Sequence, residues 1–103
     1  MSPDTLSLVG KTALITGSGR ENGIGAAIAK AFARNGAAVA IHHVSESSKA
    51  AAERVATKLA TEYGVKTTVV SGNVADPQVA KSIVEQTLRG LGSDRVDILG
   101  KRN

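Results

Sequence analysis

Thr16-Gly17-Ser18-Gly19-Arg20-Glu21-Asn22-Gly23-Ile24-Gly25 decides how the rest of the chain is read. Residues 12–16 before it (Thr-Ala-Leu-Ile-Thr) are a short apolar run of the kind that forms a buried strand. From Gly23 onward Ile24, Ile28, Ala31 and Phe32, with Ala27 beside them, fall at helical spacing and stop at Asn35-Gly36. A glycine loop that leaves a strand and opens a helix has a physical use. Gly17 lets the chain turn sharply off the strand. Gly23 lets the backbone approach a pyrophosphate with no Cβ between them, and Gly25 lets the helix pack close to the sheet. The helix N-terminus adds free N–H groups and a positive dipole end. No Gly-Lys-Ser/Thr follows, so this is not the phosphate loop of nucleoside triphosphatases. The Gly-Ile-Gly helix opening argues against a methyltransferase-type loop. A glycine turn that holds no ligand is the plain alternative.

The alternation continues on both sides of this unit. Residues 38–41 form a second buried strand. A second helix over 47–63 places Ala52, Val55, Ala56, Leu59, Ala60 and Tyr63 on one stripe, and Gly64 ends it. Residues 67–71 are a third strand, rich in β-branched side chains. Asp76-Pro77 starts a third helix, with Asp as N-cap and Pro at the first helical position. Ala80, Ile83, Val84, Thr87, Leu88 and Leu91 form its buried face, and a fourth strand covers 96–99. The order β-α-β-α-β-α-β implies a parallel sheet with right-handed crossovers. The fold class is α/β, the first part of a doubly wound (Rossmann) fold with strand order 3-2-1-4. Residues 1–7 are expected to be a loose tail, 8–99 the domain part, and 100–103 a tail of different character.

Composition sets limits around this core. The 103 residues allow one domain, but they are too few for a complete large α/β enzyme. Sixteen alanines and only two aromatics, Phe32 and Tyr63, imply a thin core. The net charge of +4 is spread along the chain, and base-stacking aromatics are missing, so nucleic acid is not an expected partner. The absence of cysteine excludes disulfides, zinc–thiolate clusters and thiol chemistry. No apolar stretch reaches the length of a membrane helix and the start is not a signal peptide, so no membrane partner is expected and the cytosol is the expected compartment. His42 and His43 alternate faces at a strand end, one expected half-buried and the other exposed. With no third ligand nearby they do not suggest a metal site.

Gly10-Lys11-Thr12-Ala13-Leu14-Ile15-Thr16-Gly17 followed by Gly23-Ile24-Gly25 resembles the opening of the short-chain dehydrogenase/reductase family. The similarity continues in Gly72-Asn73-Val74-Ala75-Asp76 and in Val96-Asp97-Ile98-Leu99, and the segment around the second strand is also like that of carbonyl and 3-oxoacyl reductases of fungi and bacteria. It covers nearly all of residues 6–99. Two departures stand out. Five residues separate Gly17 from Gly23 where the family pattern has three, so Glu21-Asn22 reads as a small insertion. After Leu99 the chain has Gly100-Lys101-Arg102-Asn103 in place of the family's Asn-Asn-Ala-Gly turn. Intron read-through or a frameshift is one expected origin of these four residues.

The resemblance implies hydride transfer between a nicotinamide and a carbonyl or alcohol. It implies a Ser and a Tyr-x-x-x-Lys as the catalytic groups. Neither is found here, because Tyr63 is followed four residues later by Thr67, so no catalytic residue is assigned and the chain alone is expected to be inactive. The end of the second strand, His42-His43-Val44-Ser45, holds no carboxylate to read a ribose 2′-hydroxyl, and Arg20 lies in the glycine loop; both favour NADP over NAD. The candidate cofactor-binding residues are Gly17, Ser18, Arg20, Gly23, Ile24, Gly25, His43, Ser45, Asn73 and Val74. Full-length family members are usually homo-oligomers. A non-catalytic module that binds a dinucleotide or a partner, and an unstable truncated product, are the alternatives.

Overall fold

The computed structural model describes residues 7–17 and 23–100. Four strands and three helices alternate: β1 (Thr12–Ile15), α1 (Ile24–Arg34), β2 (Ala38–His43), α2 (Lys49–Tyr63), β3 (Thr67–Ser71), α3 (Pro77–Leu91) and β4 (Ile98–Gly100), with a short 3-10 turn at Glu46–Ser48 leading into α2. All strand pairs are parallel and their order is β3-β2-β1-β4. That is the order expected from right-handed crossovers, two to one side of β1 and the third to the other.

Successive side chains on a strand point to opposite faces, and this divides the core. Ala13, Ile15, Val39 and Ile41 face α1 and α2, while Leu14, Ala40 and Val70 face α3 with Ile83 and Leu91. Both faces of the inner strands are covered, which is why β1 and β2 read as continuous apolar runs. At α3 the Asp76 carboxylate accepts the Gln78 N–H at 3.0 Å and Pro77 fills the first helical position. Gly64 and Gly92 end α2 and α3 in the left-handed conformation, with φ of +66° and +64°.

Several sequence expectations are corrected. The sheet-facing stripe of α1 is Gly25, Ala26, Ala29 and Ala33; Ile28 and Phe32 only flank it, while Ala27, Ala31 and Ile24 are exposed. Small side chains let the helix axis approach the sheet, so the alanine stripe lies beneath and the larger residues are displaced to its shoulders. Val84 of α3 is likewise exposed, whereas Ile83, Thr87 and Leu91 are buried as expected. β2 runs two residues beyond the expected end, to His43, and neither histidine is exposed: His42 is 1% and His43 6% accessible. Their rings satisfy backbone groups at the strand ends, which removes the penalty of burying them.

β4 begins at Ile98, not at Val96, and includes Gly100, which pairs with Ile15. The reason lies at Asp97. Its N–H donates to the Thr12 carbonyl at 2.9 Å, but its carboxylate accepts the Thr12 N–H at 2.9 Å, so a side chain takes the place of the next ladder bond.

Candidate functional site

The carboxyl ends of the strands gather those sequence-predicted residues that the structure describes. Gly17 leaves β1 with φ of +71°, a conformation that favours glycine. Gly23 precedes α1 in an extended conformation and its carbonyl accepts the Ala27 N–H at 3.2 Å. The first turn of α1 carries no acidic side chain and its N-cap makes no side-chain bond, so the positive end of the helix is uncompensated by the described residues. Gly25, in the first turn of α1, is buried. Ser18 and Arg20 lie outside the described residues, as do Glu21 and Asn22.

After β2 the chain makes a turn rich in hydroxyls. The His43 Nδ1–H donates to the Ser45 carbonyl at 2.9 Å. Ser48 Oγ donates to that same carbonyl at 2.8 Å, and Ser45 Oγ lies 3.0 Å from Ser47 Oγ and 3.1 Å from Ser48 Oγ. His43 is therefore buried and shapes this turn, while Ser45 is exposed on it. After β3, Asn73 accepts the Ala75 N–H on its side-chain oxygen at 2.9 Å, closing a tight turn that leaves Val74 exposed. Ile24, Val44 and Val74, three of the exposed large apolar residues, all sit at this edge of the sheet.

His42 is the residue that sequence reasoning left out of the site. Its Nδ1 accepts the Gly17 N–H at 2.9 Å and its Nε2–H donates to the Gly72 carbonyl at 2.7 Å. Burial pushes its pKa below the ordinary imidazole value of 6.5; the Gly72 bond opposes this and His43 adds to it. The available signal was a histidine at the end of a central strand whose neighbours are both followed by a glycine.

At the opposite edge of the sheet, an open depression of about 810 Å³ is lined by residues that include Gly10, Lys11, Gly64, Lys66, Gly92 and Asp94. None of the candidate residues that the structure describes lines it. Among the described residues no three His, Asp or Glu side chains converge to hold a metal ion, and no helix is long and apolar enough to cross a membrane.

A parallel sheet of order 3-2-1-4, wrapped on both faces, with a glycine turn between β1 and α1, defines a doubly wound α/β fold of Rossmann type. The family model for short chain dehydrogenase matches residues 11–101, and the chain belongs to that family. It is 40% identical over 90 residues to a sorbose reductase of Candida albicans, covering 87% of this chain and 30% of that protein. It is 36% identical over 89 residues to an NADP-dependent mannitol dehydrogenase of Hypocrea jecorina, covering 86% and 33%. Among solved structures, L-sorbose reductase from Gluconobacter frateurii, complexed with NADPH and L-sorbose, superposes with a TM-score of 0.75 at 33% identity, over 90% of this chain and 33% of that one. The chain thus spans about a third of the length of the relatives it matches.

Proposed function

We propose that this chain is the NADP(H)-binding part of a short-chain dehydrogenase/reductase whose full-length form moves a hydride between NADPH and a carbonyl or alcohol. The observation that carries this reading is the left-handed turn at Gly17 together with the N-terminus of α1, which no described residue compensates, flanked by the exposed side chains of Ile24, Val44 and Val74. These groups suit a dinucleotide: N–H donors and a helix dipole for the pyrophosphate, and apolar surface for an adenine face. Gly17, Gly23 and Gly25 would bring the backbone to the phosphates, with Ser18 and Arg20 from the same loop. Ile24, His43, Ser45, Asn73 and Val74 would frame the adenosine. When bound, the nicotinamide supplies the hydride chemistry.

NADP is favoured over NAD because residues 42–45 hold no carboxylate, the next being Glu46 in the exposed turn, and because the exposed hydroxyls of Ser45 and Ser47 can donate to a 2′-phosphate. Similar proteins of known structure hold NADPH, as in the Gluconobacter enzyme and a metagenomic blue fluorescent protein that is 38% identical with a TM-score of 0.79. The single tyrosine, Tyr63, packs against the core and has Thr67, not lysine, four residues later, so the Tyr-x-x-x-Lys pair of the family is not among these 103 residues. The cytosol is the proposed compartment. A second reading, a non-catalytic module, draws on Leu99, which is 59% exposed on the edge strand β4. Calorimetric titration with NADPH and NADH, beside an NADPH-oxidation assay on a panel of ketones, separates these readings. Tighter binding of NADPH without turnover is expected; no binding of either cofactor overturns the dinucleotide reading, and turnover overturns the inactivity.

A further inference from the structure

β1 and β3 flank β2, one on each side, and each is followed by a glycine with positive φ: Gly17, two residues past β1, at +71°, and Gly72, directly after β3, at +143°. One ring holds both. Gly17 N–H donates to His42 Nδ1 at 2.9 Å, and His42 Nε2 lies 2.7 Å from the Gly72 carbonyl. A backbone N–H can only donate and a carbonyl can only accept, so a single state of the ring fits: the proton on Nε2 and a lone pair on Nδ1. An imidazolium would set a second N–H against that of Gly17. Thr16 on the other side is already fixed, its N–H on the Gly100 carbonyl at 2.9 Å, so the bond to His42 determines how the next peptide is turned.

We infer that His42 is a positioning residue: in its neutral Nε2–H form it sets the turn at Gly17, and with it the affinity for a dinucleotide pyrophosphate, and its protonation releases that turn. The affinity half of this inference rests on the dinucleotide reading above. The surroundings support it. The face that His42 shares with Ala40 is lined by Val70 of β3 and by Val79 and Ile83 of α3, none of which titrates. Burial opposes protonation of the ring, and His43 on the same strand adds to that.

The test uses the whole 103-residue chain, with NADP⁺ as probe because it survives mild acid. His42→Asn puts an amide oxygen near the place of Nδ1 and keeps an acceptor for Gly17. His42→Gln reaches the place of Nε2, keeps a donor for Gly72 and loses the Gly17 acceptor. Neither variant titrates. At neutral pH the Asn variant is expected to bind like the wild type and the Gln variant roughly three- to tenfold more weakly. On acidification the wild type is expected to lose about tenfold more affinity than the Asn variant, the titration of the ligand's own phosphate being common to both. An Asn variant that follows the wild-type pH profile, or a Gln variant that binds as well as the wild type, overturns the inference. A ligand-free readout keeps it separate from the cofactor reading. In ¹⁵N-labelled wild type, a through-hydrogen-bond N–N coupling between Gly17 N and His42 Nδ1 should appear at neutral pH and vanish in acid. Its absence at neutral pH overturns the inference even if the variants fail to fold. The coupling without any NADP⁺ binding supports the hold on the turn and overturns the dinucleotide reading instead.

Discussion

Replacing Asp97 with alanine tests how the shortest strand is attached. β4 has three residues and pairs with β1 alone, and Asp97 leads into it. The carboxylate accepts the N–H of Thr12, a residue only 4% exposed, at 2.9 Å. Removing it leaves that donor inside the sheet without its partner, at a cost of about 1–3 kcal/mol. The accompanying ion pair, Arg95 Nε to Asp97 Oδ1 at 3.1 Å, is formed by an arginine that is 75% exposed and contributes about 0–1 kcal/mol. The Asp97→Ala variant should therefore lose about 2 kcal/mol, or roughly 8–16 °C in Tm for a domain of this size. Asp97→Asn keeps an amide oxygen for Thr12 and loses the ion pair, so most of the loss should be absent. Circular dichroism melts of wild type and both variants decide the matter. An Asn variant as unstable as the Ala variant would place the effect in charge, and an Ala variant that melts with the wild type would show that the bond does not hold β4.

Three further outcomes are expected. Because the native state keeps His42 neutral and the unfolded chain titrates it near 6.5, its contribution to stability is complete above that pH and is lost as pH falls through 6.5 toward the lower native value. Urea melts across this range should show that slope in the wild type and not in His42→Asn. In Gly72→Ala the new Cβ would lie 2.5 Å from Val79 Cγ1 and 3.2 Å from Ile83 Cδ1, at a φ that side chains rarely adopt. A loss of roughly 1–3 kcal/mol is expected in the urea midpoint, only partly restored by Val79→Ala because the backbone strain persists. Asp76→Ala removes the acceptor for Gln78 N–H and should lower stability by about 1 kcal/mol, read by thermal unfolding, while Pro77 still starts the helix.

The strand order was legible because apolar runs separated by helical stretches leave few parallel arrangements, and the third strand was read to its ends, Thr67–Ser71. The face of α1 was not. Hydrophobic periodicity ranks Ile24 and Phe32 above Ala26 and Ala29, yet contact distance to a sheet rewards the smallest side chains. The start of β4 was misplaced because a carboxylate can stand in for a ladder acceptor, which no strand pattern shows. Within the site, the turn at Gly17 followed from residue type alone. The part played by His42 did not, since its partners are 25 and 30 residues away along the chain and meet it only once β1, β2 and β3 lie side by side.

The most direct test of a dinucleotide half-site is a map of backbone amide shifts in the ¹⁵N-labelled chain as NADPH is added. The shifts should gather at Gly17, Gly23, Ile24, Gly25, Asn73 and Val74 and spare Lys11, Lys66 and Gly92 at the far edge of the sheet. Unchanged amides at millimolar NADPH, or shifts centred on the far edge, would contradict it.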